Sequence, residues 1–124
     1  MPYCHCGSGK LLSDCCEPYI LGTQKAASPE ILMRSRYTAY CLQQVDYLLA
    51  TTHSSIRKYH DKKETAAFAS QNHWIRLEII NASGTIVEFK AYYIDNQLQP
   101  KTHHEKSTFS KEDGSWFYVD GEWY

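Results

Sequence analysis

The chain has 124 residues, 43% hydrophobic and 22% charged, with a net charge of −1. That is long enough for one domain with its own core, and it lacks the global basic excess that would mark a nucleic-acid binder. No run approaches the roughly 18 consecutive apolar residues of a membrane-spanning helix, and Met1-Pro2-Tyr3 opens no secretory leader. A reducing, cytoplasmic setting is therefore expected, and there closely spaced cysteines serve metals more often than disulfides.

The first element in chain order is set by cysteine. Cys4-His5-Cys6 and Cys15-Cys16 form two chelating arms separated by Gly7-Ser8-Gly9-Lys10-Leu11-Leu12-Ser13-Asp14. Four thiolates around one ion make the closed tetrahedral shell that structural zinc prefers, with iron as the other metal such a site takes. A disulfide within either arm is cramped, since bridged Cα atoms ordinarily stand about 4.4–6.8 Å apart; pairing across the arms stays open. Gly7 and Gly9 are expected to turn the loop with positive φ, and Lys10 to offset thiolate charge. His5 is expected to face solvent or to support the ligands. A shell closed by four sulfurs leaves no position for water or substrate, so the metal is expected to be structural.

Residues 17 to 28, with Pro18, Gly22 and Ser28, break the chain after this knot. Ser28-Pro29 predicts a helix start, Ser as N-cap and Pro in the first turn. Met33, Tyr37 and Tyr40 then recur at i, i+4 and i+7, which predicts an amphipathic helix to about Gln43. Asp46 is expected to cap a short second helix, and His60 to Ala69 to form a third. After that the period changes: Ile75, Leu77 and Ile79, then Val87, Phe89, Ala91 and Tyr93, alternate with polar residues as in half-buried antiparallel strands. Turns are expected at Asn81-Ala82-Ser83-Gly84 and Asp95-Asn96, and a tight hairpin at Asp113-Gly114. The fold class is α+β, with helices packed on one face of an antiparallel sheet. A mildly basic helical half and an acidic sheet half read as two solvated faces.

Candidate acid–base groups are His53, His60, His73, His103, His104, Asp46 and Glu105, none in a recognisable catalytic spacing. Neighbours on a strand point to opposite faces, so His103 and His104 cannot grip one ion, and both are expected to be solvated. His53 reads as a helix C-terminal residue. Arg34 and Arg36 face roughly 200° apart around their helix, so one of them enters any pocket, where pairing with Glu105 or Asp120 would tie helix to sheet. With Tyr37, Tyr40, Trp74, Tyr92, Phe109, Trp116 and Tyr118, these two arginines and Glu105 are the candidate pocket residues, the aromatics being core first and ligand-stacking wall second. Cys41 reads as a small buried hydrophobe.

Cys4-His5-Cys6-Gly7-Ser8-Gly9-Lys10 followed by Cys15-Cys16 is similar to the SEC-C motif, the small zinc-binding tail of the bacterial preprotein translocase motor SecA. Glu17-Pro18-Tyr19, the run Leu32 to Tyr40, and Trp116-Phe117-Tyr118-Val119-Asp120-Gly121 resemble the bacterial YchJ family. The resemblance implies a SEC-C-like metal-binding motif over residues 1–22 and a nuclear-transport-factor-2-like domain over 28–124, a cone of helices on a curved sheet. Leu11, Leu12, Ser13 and Asp14 stand where SecA tails carry lysines, and a second SEC-C motif common in this family has no counterpart, so one metal site is expected. The expected function is a zinc-bearing binding or adapter protein, monomer or homodimer, recognising a translation- or secretion-linked protein, with ribosome or nucleic acid as the weaker partner. The alternative is a small-molecule hydrolase or isomerase with zinc as a staple. In either case the knot is expected to be an appendage on which the domain's core does not depend.

Overall fold

Ser28 starts the helix around which everything else is arranged. Its backbone is extended and its hydroxyl accepts the Ile31 N–H at 3.3 Å, with Pro29 in the first turn where a missing N–H costs nothing. In this computed structural model, which describes residues 3–124, a single turn of 3₁₀ helix at Leu12–Asp14 is followed by α1 (Glu17–Ile20), α2 (Pro29–Cys41), α3 (Val45–Ala50), α4 (Ser54–Arg57) and α5 (Lys62–Gln71). The strands are β1 (His73–Ser83), β2 (Ile86–Ile94), β3 (Pro100–Glu112) and β4 (Ser115–Trp123). Residues 1 and 2 of the expected 1–22 motif lie outside the described residues.

Helix α2 stops at Cys41, short of Gln43, because Gln43 itself turns left-handed at φ 58°. The Gln44 N–H then reaches back to the Ala39 carbonyl at 2.8 Å and the Gln43 N–H to that of Tyr40 at 3.2 Å, a Schellman closure with glutamine in the seat glycine usually takes. Gln44, not Asp46, stands at the N-cap of α3; Asp46 lies in the first turn and pairs with Lys62 at 2.9 Å. Asp61 caps α5, accepting the Lys63 N–H at 3.2 Å. His53 begins a helix where the sequence suggested it ends one: its Nδ1 accepts the Ser55 N–H at 3.1 Å and starts the short α4.

The four strands form one antiparallel meander in the order β1-β2-β3-β4. Ser83 pairs with Ile86, so the first turn is Gly84-Thr85 and the expected turn residues Asn81 to Ser83 belong to β1. Asp113 and Gly114, at φ 52° and 81°, close the Glu112–Ser115 hairpin as a primed turn requires. Register breaks at Trp74/Arg76, Ile79/Asn81 and Thr108/Phe109 curl the sheet. Its concave face carries Leu77, Val87, Phe89, Ala91 and Phe109 toward the helices.

The core is shared with the cysteines. Cys4, Cys6 and Cys16 are buried in the same apolar cluster as Leu32, Met33, Tyr37, Leu77, Val87, Phe89, Ala91 and Phe109, with Cys6 fully inaccessible. The knot is thus built into the wall of the domain and not appended to it, because sulfur is apolar and polarisable enough to serve as core.

Removing the Ser28 cap tests the role of α2: Ser28→Ala should cost about 1 kcal/mol in a urea titration, with the loss spread over the whole unfolding transition.

Candidate metal centre and cone cavity

The N-terminal strand segment folds back on itself. Tyr3 bridges Leu11, and the Cys4 N–H donates to the Lys10 carbonyl at 2.8 Å. Gly7 and Gly9 take φ 82° and 84° between them, as the tight reversal demands. The 3₁₀ turn then swings Cys15 and Cys16 under this loop, with Cys16 at the N-cap of α1. The sulfurs of Cys4, Cys6, Cys15 and Cys16 all lie within 4.8 Å of one another. Cys6 and Cys15 stand 3.6 Å apart, Cys15 and Cys16 3.9 Å. An ion with metal–sulfur bonds of about 2.3 Å sets tetrahedral sulfurs about 3.8 Å apart, so the cluster fits a metal and is far from the 2.05 Å or so of a disulfide.

The surroundings suit thiolates. The Ser8 hydroxyl lies 3.1 Å from the Cys15 sulfur and the buried Thr38 hydroxyl 3.6 Å from that of Cys4. Hydrogen bonds from Cys16 and then Cys6 hold the Cys4 thiol far below its ordinary range, while hydrogen bonds with Cys4 and Cys6, and then burial, push Cys16 up. A cation that sequence spacing did not point to, Arg34, lies beside the cluster. Its Nη1 donates to the Cys6 carbonyl at 2.8 Å and its Nε pairs with Glu30 at 3.0 Å, whereas Lys10 is exposed. His5 faces solvent.

On the other side of α2 lies a cavity of about 300 Å³. One end is apolar: Tyr37, Tyr40, Phe68 and Trp74, with the Trp74 ring 5.4 Å from Phe68 and 5.5 Å from Tyr40. The other end is polar. Glu105, 6% exposed, accepts from His103 Nε2 at 2.7 Å on one oxygen, and from Ser107 at 2.6 Å and the Tyr118 hydroxyl at 3.0 Å on the other. Burial alone would raise its pKa, but these donors, His103 foremost, prevail and hold it below the ordinary carboxyl value. Tyr118 moves the opposite way, pushed up by burial and then by the Glu105 charge. His60 is lowered by burial and by the Arg36 charge. Beneath the carboxylate, β4 carries Gly121, where a Cβ would collide with Glu105 Oε2 and come within 2.7 Å of the Tyr118 hydroxyl.

Residues 28–121 match the family model described as the middle, nuclear-transport-factor-2-like domain of YchJ. The chain belongs to the YchJ family. It is 41% identical to a UPF0225 protein of Geobacter sulfurreducens over 95% of this chain and 77% of that one, and 38% identical to one of Serratia proteamaculans over 95% and 81%. Among solved structures, a SEC-C motif containing protein from Rhodopseudomonas palustris superposes with a TM-score of 0.88 at 39% identity, covering 96% of both chains. Another from Psychrobacter arcticus gives 0.80 at 31% identity, covering 94% and 80%. The α+β cone with an N-terminal SEC-C motif is thus the architecture of this YchJ protein.

Of the residues the sequence pointed to, Arg36, Tyr37, Tyr40, Trp74, Glu105 and Tyr118 line the cavity. Arg34 serves the knot instead. Tyr92 lies on the outer face of the sheet, donating to Glu78 at 2.7 Å under the Arg76 guanidinium. Phe109 is core below Tyr118, and Trp116 is half-buried beside Lys111. Neither arginine pairs with Glu105 or Asp120: Arg36 donates to the Leu48 carbonyl and the Thr51 hydroxyl, because the end of α3 reaches it first. His103 enters the cavity wall, while His104 points away and pairs with Glu88 at 2.8 Å. Met33, His60, Phe68, Phe89, Ala91, Ser107 and Trp123 also line it, and the exposed Glu64 stands with Thr65 at its helix side. The row His103, Glu105, Ser107, Phe109 is polar at three of four inward positions, a pattern that alternation alone assigns to the solvent face.

Two outcomes follow from the carboxylate. Gly121→Ala should cost about 1–3 kcal/mol through overpacking, and the penalty should shrink when Glu105 is also shortened to Ser, as a double-mutant cycle would read. Because the folded pKa of Glu105 lies below its ordinary 4.5, its stabilisation is present above that value and is lost as pH falls toward the folded one. The stability gap between wild type and Glu105→Gln, measured by denaturant titration, should therefore be larger at pH 7 than near pH 3.5.

Proposed function

We propose that this YchJ protein is a zinc-bearing binding protein, in which the SEC-C knot holds one structural zinc and displays the N-terminal surface to a protein partner. The observation that carries this reading is the four-sulfur cluster itself: its ligands are complete without water or substrate, three of them are buried, and hydroxyls of Ser8 and Thr38 back the sulfurs. Such a site holds shape and does not catalyse. Supporting the partner role, Tyr3 and Leu21, which flank the cysteine arms in sequence, remain 70% and 69% exposed. Reduced thiols of this kind suit the cytoplasm, and kinship of the motif with SecA tails favours a partner linked to translation or secretion.

Native mass spectrometry with elemental analysis on the reduced protein should find one zinc per chain, absent from the Cys15→Ser, Cys16→Ser double variant. Iron in place of zinc would change the metal but keep the site; no metal in the wild type would end this reading.

A second reading is favoured by the His103–Glu105 pair. Glu105 fixes one ring nitrogen of His103, which leaves Nδ1 as the candidate base of a small-molecule hydrolase or isomerase. A proton-transfer activity that His103→Gln abolishes while leaving metal content unchanged would move the function to the cavity.

A further inference from the structure

The two arginines of α2 differ in how their charge is met. Arg34 has the carboxylate of Glu30 beside it. Arg36 is 6% exposed, yet no carboxylate stands within ion-pairing distance of it among the described residues. Its Nη1 is occupied by the Leu48 carbonyl at 2.9 Å and the Thr51 hydroxyl at 2.7 Å, with the Thr52 hydroxyl at 3.4 Å. Its Nε and Nη2 meet no protein acceptor among the described residues, and the residue lines the cavity. A guanidinium keeps its charge at any accessible pH, and burying it without a counter-ion is costly. The Nε–Nη2 edge is also the one that grips a carboxylate with two parallel hydrogen bonds.

Among the described residues, the one buried carboxylate of the cavity is already spent, and its other carboxylate, Glu64, is exposed. Both oxygens of Glu105 are filled by His103, Ser107 and Tyr118, and the Tyr118 ring packs 4.9 Å from the Arg36 guanidinium carbon. We propose that the cone cavity binds a small ring-bearing monocarboxylate, its acid group on the Nε–Nη2 edge of Arg36 and its ring against Tyr40, Phe68 and Trp74. One arginine without a carboxylate partner calls for one negative charge; a dianionic phosphate would add a second to a cavity already lined by the carboxylates of Glu105 and Glu64, with no other arginine or lysine in the lining to meet it. The volume of about 300 Å³ stands at the small end of the usual ligand range of about 300–1,000 Å³, which suits a single ring and a short acid arm. Phe68, edge-on to Trp74, and Tyr40, tilted at 45° to it, give that ring aromatic walls to pack against. No cysteine of the knot lines this site, so its ligand would not touch the metal.

Phenylacetate and its neutral isostere phenylacetamide test the proposal on the full-length, metal-loaded protein, read by the indole N–H resonance of Trp74. Phenylacetate should shift that resonance saturably by about 10 mM, the amide should bind at least about tenfold more weakly, and Arg36→Met should erase the difference. Because Arg36 also ties α2 to α3, Phe68→Ala at the half-exposed mouth gives a second variant, expected to weaken phenylacetate several-fold while Arg36 stays in place. Equal binding of acid and amide, or no saturable shift of Trp74 in the wild type, would overturn the proposal whatever the metal content.

Discussion

Helix α2 is a wall with two inhabited sides, and the structure depends on what presses against each. Arg34 and Thr38, one helical turn apart, face the cysteine knot and touch the Cys6 carbonyl and the Cys4 sulfur. Met33, Arg36, Tyr37 and Tyr40 face the cavity. The sheet meets α2 through β1, β2 and β4, and α3 and α5 pack on it as well. The knot adds a further support, and three buried cysteines make it continuous with the apolar core. In this molecule the cysteine cluster is a structural member of the cone.

That arrangement explains how a domain of this size keeps an open cavity at its centre. Space inside a fold forfeits packing, and the residues around it must be held from outside. On the sheet side, the Glu105 network with Gly121 beneath it locks the polar end. On the helix side, the capped α2 and the Arg36 bonds to α3 fix the opposite wall.

Much of this was legible in the sequence wherever the determining interactions are local. The cysteine spacing announces the cluster because ligands on two short arms can meet around one ion. Ser28-Pro29 and Asp113-Gly114 announce their cap and turn because each satisfies its own backbone. What escaped is non-local or atypical. Gln43 ends α2 left-handed without glycine, and α4 is a single turn capped by His53, which no periodicity reveals. The 200° between Arg34 and Arg36 says that the two must part, but only the position of the knot decides that Arg34 joins the sulfurs and Arg36 the cavity. Glu105 was picked out as a pocket residue, yet the inward polar row around it mimics a solvated strand, so the placement of His103 and Ser107 needed the tertiary fold.

Calorimetry of the metal-loaded protein against the same protein held with a chelator reports whether knot and cone form one cooperative unit. A shared core requires a single unfolding transition that moves down as a whole on metal removal, by about 10 °C or more. An unchanged main transition, with only the first twenty or so residues losing protection from hydrogen exchange, would show that the knot is an appendage and that α2 stands without it.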